Sequence, residues 1–324
     1  QLLDHCRIKG VAVPDRLIVL RGDTKDCEWI EDSTSSVLGA LPPKQMPRLT
    51  RSDYVSNSND SYWLSNPNAP LEGYSPIIGD EGTARSLRTR AGLSQISELI
   101  KSGNKISPSD IQDMLYNQRN FAAELLLDDV LKICNEPNRA SEACGVLKNW
   151  DRTMTVDSRG GHLWREFWDS ARKIPDLFAS PFDRSDPVNT PSGIDVSNKN
   201  VRQAVHDALE QASEKLTKSS IGLDARLGDI QYAERNGKLI PIPGGEGWAG
   251  MFSMIRTRLQ EGKGYTPIFH GNSYIQVISW DEEGDLSAQA MLTYSQSPEP
   301  DSPNDEDLTE IYSSGGWINL PFLE

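Results

Sequence analysis

Apolar residues recur at helical spacing through the middle of the chain and switch to strand spacing near its end. Leu87, Leu93, Ile96, Leu99 and Ile100 form one stripe, closed near Gly103, and predict a helix. Ser107 and Asp110 suit a helix start with Pro108 in the first turn. From there the pattern runs on from Ile111 through Met114, Leu115, Phe121, Leu125 and Leu126 to Cys134, predicting one long helix. Residues 140–150 predict a third helix, and a segment carrying Trp164, Phe167 and Trp168 a fourth, its aromatic stripe read as core. Residues 175–197, rich in Pro, Asp and Ser, read as a long surface loop. Beyond them Val201, Val205, Leu209 and Leu216 mark a further amphipathic helix.

The two ends differ from this helical middle. The apolar run 17–20, bounded by charge and Gly22, predicts a strand, and Pro42, Pro43 and Pro47 an extended connector. Residues 265–280 and 286–295 are β-favouring runs joined across 281–285, a hairpin with Gly284 in its turn, and 317–322 forms a last segment. Strand, then helices, then strands gives an α+β or layered αββα fold with a helical excursion. Three stretches follow: 1–82, mainly strand and loop; 83–220, mainly helical; and 221–324, returning to β.

Composition narrows the function. The 324 residues can bury a substantial core, and 37% hydrophobic with 25% charged content suits a soluble, loop-rich protein. No apolar run approaches the roughly 18 residues that span a bilayer. A net charge of −14 argues against a nucleic-acid footprint, which would need a basic face, so a neutral or amphipathic partner is expected. The four cysteines fall as two local pairs, Cys6 with Cys27 and Cys134 with Cys144, without zinc-site spacing. Disulfides are expected, pointing to an oxidising compartment, periplasmic or secreted; four buried free thiols are the alternative.

Nucleotide and self-contained hydrolase motifs are missing or fail on context. Gly245, Gly247 and Gly250 match GxGxxG, but Pro241 and Pro243 interrupt the strand that a dinucleotide site needs before it. There is no HExxH, P-loop or GxSxG, and His270 reads as a core or structural histidine.

The most particular stretch is 53–67, DYVSNSNDSYWLSNP. Six small polar residues, Ser56 to Ser61, lie between Tyr54 and Val55 on one side and Tyr62 and Trp63 on the other. An amide NH2 fixed between apolar walls can stabilise a developing oxyanion. The alternative is an Asx-type turn in which Asn57, Asn59 and Asp60 satisfy their own backbone.

NSNDSYWLSNPNAPLEG, the following IIGDEGTARSLRTR and the later HGNSYIQVISW together resemble the penicillin acylase family of N-terminal nucleophile hydrolases, on the aculeacin and acyl-homoserine lactone acylase side. The likeness extends over nearly the whole chain. It implies a layered αββα domain with a helical insertion, and cleavage of the amide of an N-acylated small molecule through an acyl-enzyme on an N-terminal Ser. That Ser is formed by self-cleavage of a precursor, and its own α-amino group serves as base. Because the chain opens at Gln1, the resemblance implies the C-terminal part of the large chain, inactive alone, with the small chain and the first part of the large chain as partners. The family's oxyanion-hole Asn matches Asn59, with Asn57 the weaker counterpart, and its active-site Arg matches Arg85, with Arg88 as the alternative. No cofactor is implied; calcium occurs in some relatives, but no complete ligand set is readable here. The competing reading is a binding module of the same architecture that has lost its nucleophile.

Overall fold

The computed structural model describes residues 4–9, 19–28, 31–137, 139 and 141–321. The helices are α1 (Leu87–Lys101), α2 (Pro108–Tyr116), α3 (Phe121–Cys134), α4 (Glu142–Asn149), α5 (Gly161–Ala171), α6 (Lys199–Lys218), the single turn α7 (Leu227–Ile230) and α8 (Asp307–Ser313). Five small antiparallel sheets accompany them among the described residues. They pair β1 (Phe178–Ser180) with β2 (Ser192–Ile194), β3 (Tyr232–Arg235) with β4 (Lys238–Pro241), β5 (Ile255–Arg256) with β8 (His270–Gly271), and β6 (Leu259–Gln260) with β7 (Gly264–Tyr265). The fifth and largest is three-stranded, ordered β11 (Ile318–Asn319), β10 (Leu286–Leu292), β9 (Tyr274–Trp280). The fold is α+β.

The main core lies among α3, α4, α5 and α6. Leu126, Leu127, Leu147, Leu163, Trp164, Phe167 and Leu209 are each almost wholly buried there. The aromatic stripe of α5 is therefore core, as its spacing suggests: Trp164 stacks on Trp168 with ring centroids 6.3 Å apart and tilts against Phe167 at 5.1 Å. The disulfide Cys134–Cys144 ties the end of α3 to α4, and Cys6–Cys27 closes the N-terminal segment.

Several elements depart from the pattern. The expected long helix breaks at 117–120 into α2 and α3. Gln118 adopts a left-handed φ of 52° and its side-chain amide donates to the Ser253 hydroxyl at 3.0 Å, while Arg119 bridges to Thr153. Asn120 then caps α3 by accepting from the Ala123 amide. Tertiary bonds have replaced one turn of helix. The loop 175–197 holds the β1–β2 hairpin, with Leu177 and Ile194 buried, and its Val188 and Pro191 carbonyls accept from the buried guanidinium of Arg90 on α1.

The β run 265–280 is divided among β7, β8 and β9, and His270 is exposed at the β5–β8 pair instead of lying in a core. The hairpin 274–292 pairs Trp280 with Leu286, and Gly284 takes a φ of 89° in the turn. The strand at 17–20 falls partly outside the described residues; Leu20 bridges to Arg7. Of the last segment, 318–319 pair with β10, and Phe322 lies outside the described residues.

Candidate active site

Residues 53–67 form a closed loop with only one turn of 3₁₀ helix, Tyr62–Leu64. The Ser56 amide donates to the Ser65 carbonyl at 2.8 Å, and the Asn66 side chain donates to the Tyr54 carbonyl and the Asp53 carboxylate, so the ends are pinned together. Trp63 and Leu64 anchor it from within, packing on Leu93 of α1. The apolar anchor and the polar tip thus come from adjacent residues.

At the tip the two asparagines do different work. Asn57 spends its side-chain carbonyl on the Asn59 backbone amide at 2.9 Å, an Asx turn. Asn59 itself has a φ of 56°, the left-handed region that Asn tolerates better than most side chains. Its Oδ1 accepts from a guanidinium nitrogen of Arg88 at 2.6 Å. A guanidinium only donates, so the atom facing Arg88 is the oxygen and the NH2 points elsewhere. No protein group accepts from that NH2 among the described residues.

The two arginines are also distinguished. Arg85 is buried, lies over the Trp63 ring with 5.8 Å to its centroid, and pairs with Asp60 at 3.0 Å; it does not reach Asn59. Arg88, in the first turn of α1 and half-buried, is the one that meets Asn59. Its aliphatic stem runs beside Gly247.

Gly247 belongs to the glycine-rich turn that mimics a dinucleotide fingerprint. The turn is a short 3₁₀ segment, Gly247–Ala249, that packs on α1. Gly250 has a φ of 82°, and a Cβ there would lie 2.6 Å from that of Phe121 and 3.2 Å from the Leu87 carbonyl, so the glycine lets the turn approach α3 and α1 closely.

Asp60, expected only to satisfy its own backbone in a turn, has the most partners in the loop. Oδ1 accepts from Arg85 and from the Ser61 amide at 2.8 Å; Oδ2 accepts from the Ser86 amide at 2.9 Å and the Thr89 hydroxyl at 2.8 Å. Burial works against its charge, but the bonds from Ser86, Thr89 and Ser61 outweigh that, and its carboxyl is held below the usual range. An Asp closing an Asn-rich turn, with a Ser-x-x-Thr helix start downstream, is the signal the sequence offers.

For metals, the cluster found among the described residues is His5 with Cys6 and Cys27, whose sulfurs are bonded to each other and so are not thiolate ligands. No helix among the described residues is long and apolar enough to cross a membrane.

The chain belongs to a hydrolase family: the model of the penicillin amidase family matches residues 7–324. Among individual proteins, it is 36% identical to aculeacin-A acylase of Actinoplanes utahensis over 94% of this chain. It is 34% identical to the acyl-homoserine lactone acylase PvdQ of Pseudomonas syringae pv. syringae (strain B728a) over 98% of this chain. These alignments cover 40% and 41% of the two relatives, so the chain spans about two fifths of their length.

Proposed function

We propose that this chain supplies the oxyanion-stabilising part of an amidohydrolase that cleaves N-acylated small molecules of the β-lactam, acyl-homoserine lactone or lipopeptide type. The observation that carries the reading is the Arg88–Asn59 contact, which occupies the amide oxygen and leaves the NH2 free to donate. In the reaction a Ser hydroxyl attacks the substrate carbonyl while the same residue's α-amino group, with a pKa near 8, accepts its proton. Charge then develops on the carbonyl oxygen. The Asn59 NH2 donates to it, and the adjacent guanidinium makes that N–H a stronger donor. The tetrahedral intermediate collapses to an acyl-enzyme with loss of the amine, and water releases the acid.

On this reading the nucleophile and most of the acyl pocket belong to the three fifths of the relatives' length that this chain does not cover. The 324-residue chain assayed alone should turn over acylated amides negligibly. Its strands would join a layered αββα domain with those segments, and its two disulfides favour a periplasmic or secreted location.

The test is Asn59→Ala beside Asn57→Ala in the full-length protein. Asn59→Ala should lower kcat about a hundredfold to a thousandfold, the loss typical of one oxyanion donor, and move KM much less. Asn57→Ala should act mainly on stability, through the lost Asx turn. Unchanged turnover in Asn59→Ala would remove the oxyanion assignment, whereas no turnover by the full-length wild type would favour a binding module without catalysis.

A further inference from the structure

The contact between Asn59 and Arg88 joins two segments 29 residues apart, each locally unfavourable. A left-handed φ at a non-glycine residue costs on the order of 1 kcal/mol and persists only where the surroundings impose it. The first turn of a helix carries amide hydrogens with no intrahelical acceptor and tends to fray.

Asp60 answers both. Ser86 is the N-cap of α1, and its hydroxyl accepts from the Thr89 amide. In a capping box the side chain three residues into the helix would accept from the cap residue's own amide. That position is Thr89, a hydroxyl that here donates to Asp60, and the Ser86 amide goes to Asp60 as well. The carboxylate therefore completes the cap from another part of the chain and places its charge at the positive end of the helix.

Those two bonds clamp α1 at positions 86 and 89, on either side of Arg88. The backbone of Asp60 is continuous with Asn59. Its other oxygen accepts from the Ser61 amide and from Arg85, which fixes the carboxylate itself against Trp63. One side chain thus sets the register between the residue carrying the amide and the residue that orients it.

Resting on the amidohydrolase reading above, we propose that Asp60 is a positioning residue: by capping α1 in trans it holds the Asn59 amide where it can donate to the oxyanion. It touches neither substrate nor reacting atoms. Its contribution appears in the rate of the chemical step and only through Asn59.

The test is a double-mutant cycle in the full-length protein, with kcat and KM measured on an N-acyl substrate and folding followed by circular dichroism. Asp60→Asn keeps the shape but puts an NH2 or a weaker carbonyl where Ser86 and Thr89 need an anionic acceptor. It should lower kcat about tenfold to a hundredfold, the range for losing charge-assisted bonds, with KM within about threefold. In an Asn59→Ala background the same change should lower kcat no further.

Should Asp60→Asn fail to fold, Thr89→Val removes one donor and leaves the carboxylate; a smaller loss of kcat, again absent in the Asn59→Ala background, supports the proposal. A folded Asp60→Asn with normal kcat beside a crippled Asn59→Ala overturns the positioning role and leaves the amidohydrolase reading intact. So does a loss fully additive with Asn59→Ala, or a normal kcat in Thr89→Val where Asp60→Asn does not fold. Normal kcat in Asn59→Ala overturns the positioning role together with the oxyanion assignment on which it rests.

Discussion

Around Trp164 the chain is held by area, and around Asp60 by direction. The α3–α6 core buries aromatic and aliphatic side chains on every side, so its restoring force has no preferred orientation and any one contact contributes little alone. The loop at 53–67 contributes Trp63 and Leu64, with Tyr54 packed beside them, to a small apolar anchor, and its tip is fixed by a few short bonds to charged groups. Apolar packing gives α1 a stable support; polar bonds set which way one amide faces. Changes in the core should therefore move stability and spare the rate per folded molecule, whereas changes at the Asn59–Arg88 contact should do the reverse.

The largest departure should come from Trp164→Ala. Emptying that site should lower unfolding stability by about 3–5 kcal/mol in denaturant titrations of the full-length protein, while kcat per folded molecule stays close to wild type. A fall in kcat of similar size would mean that core and site are not separable.

Acid should strike the core before the site. Burial pushes the His162 imidazole down to about 4, and its Nε2 lies 2.9 Å from the Gly222 carbonyl. Between the unfolded value near 6.5 and about 4, the unfolded chain takes up a proton that the folded one does not. Stability then falls by about 3 kcal/mol as pH drops through that window, with this group contributing no further loss below it. Asp60, also depressed, keeps its full stabilisation above the ordinary carboxylate pKa of about 3.9 and loses it only as pH falls below that. Denaturation midpoints from pH 7 to 3 check this, with His162→Gln expected to flatten only the upper part of the profile.

Removing the Cys134–Cys144 bridge with paired Ser substitutions should cost about 2.7 kcal/mol, from the closure of a loop of about 10 residues, and again leave kcat alone. The smallest effect tests the opposite side. Arg88→Lys keeps the charge but loses the planar fork beside Asn59, and should lower kcat about tenfold, or about 1.4 kcal/mol, with no measurable change in melting temperature. A lowered melting temperature with normal kcat would return Arg88 to a purely structural role.

Much of this division was legible in the residues. The extent of α1, the stripe of α6, the cap at Ser107, the hairpin around Gly284 and both cysteine pairings follow from local rules, whereas of the α1 stripe only Leu93 is buried and Ile100 is exposed. The break at 117–120 was not, because the apolar period continues through it and the competing partners, Ser253 and Thr153, are remote. Asn117 and Asn120, each at a helix end, were the overlooked hint. At the site, the resemblance nominates Arg85 with Arg88 as the alternative, and the residues alone do not separate them. Only the route of Asp60 to Ser86 and Thr89 determines which guanidinium meets the amide.

The backbone angle at Asn59 restricts what evolution can place there. Glycine would accept the φ of 56° without strain but brings no amide; aspartate would tolerate it but presents an anion to an anion; glutamine carries the amide on a longer stem that is less at ease in that conformation. Asparagine alone among these meets both demands. On the proposed oxyanion role, a related sequence with glycine at this position would keep the loop and lose the donor.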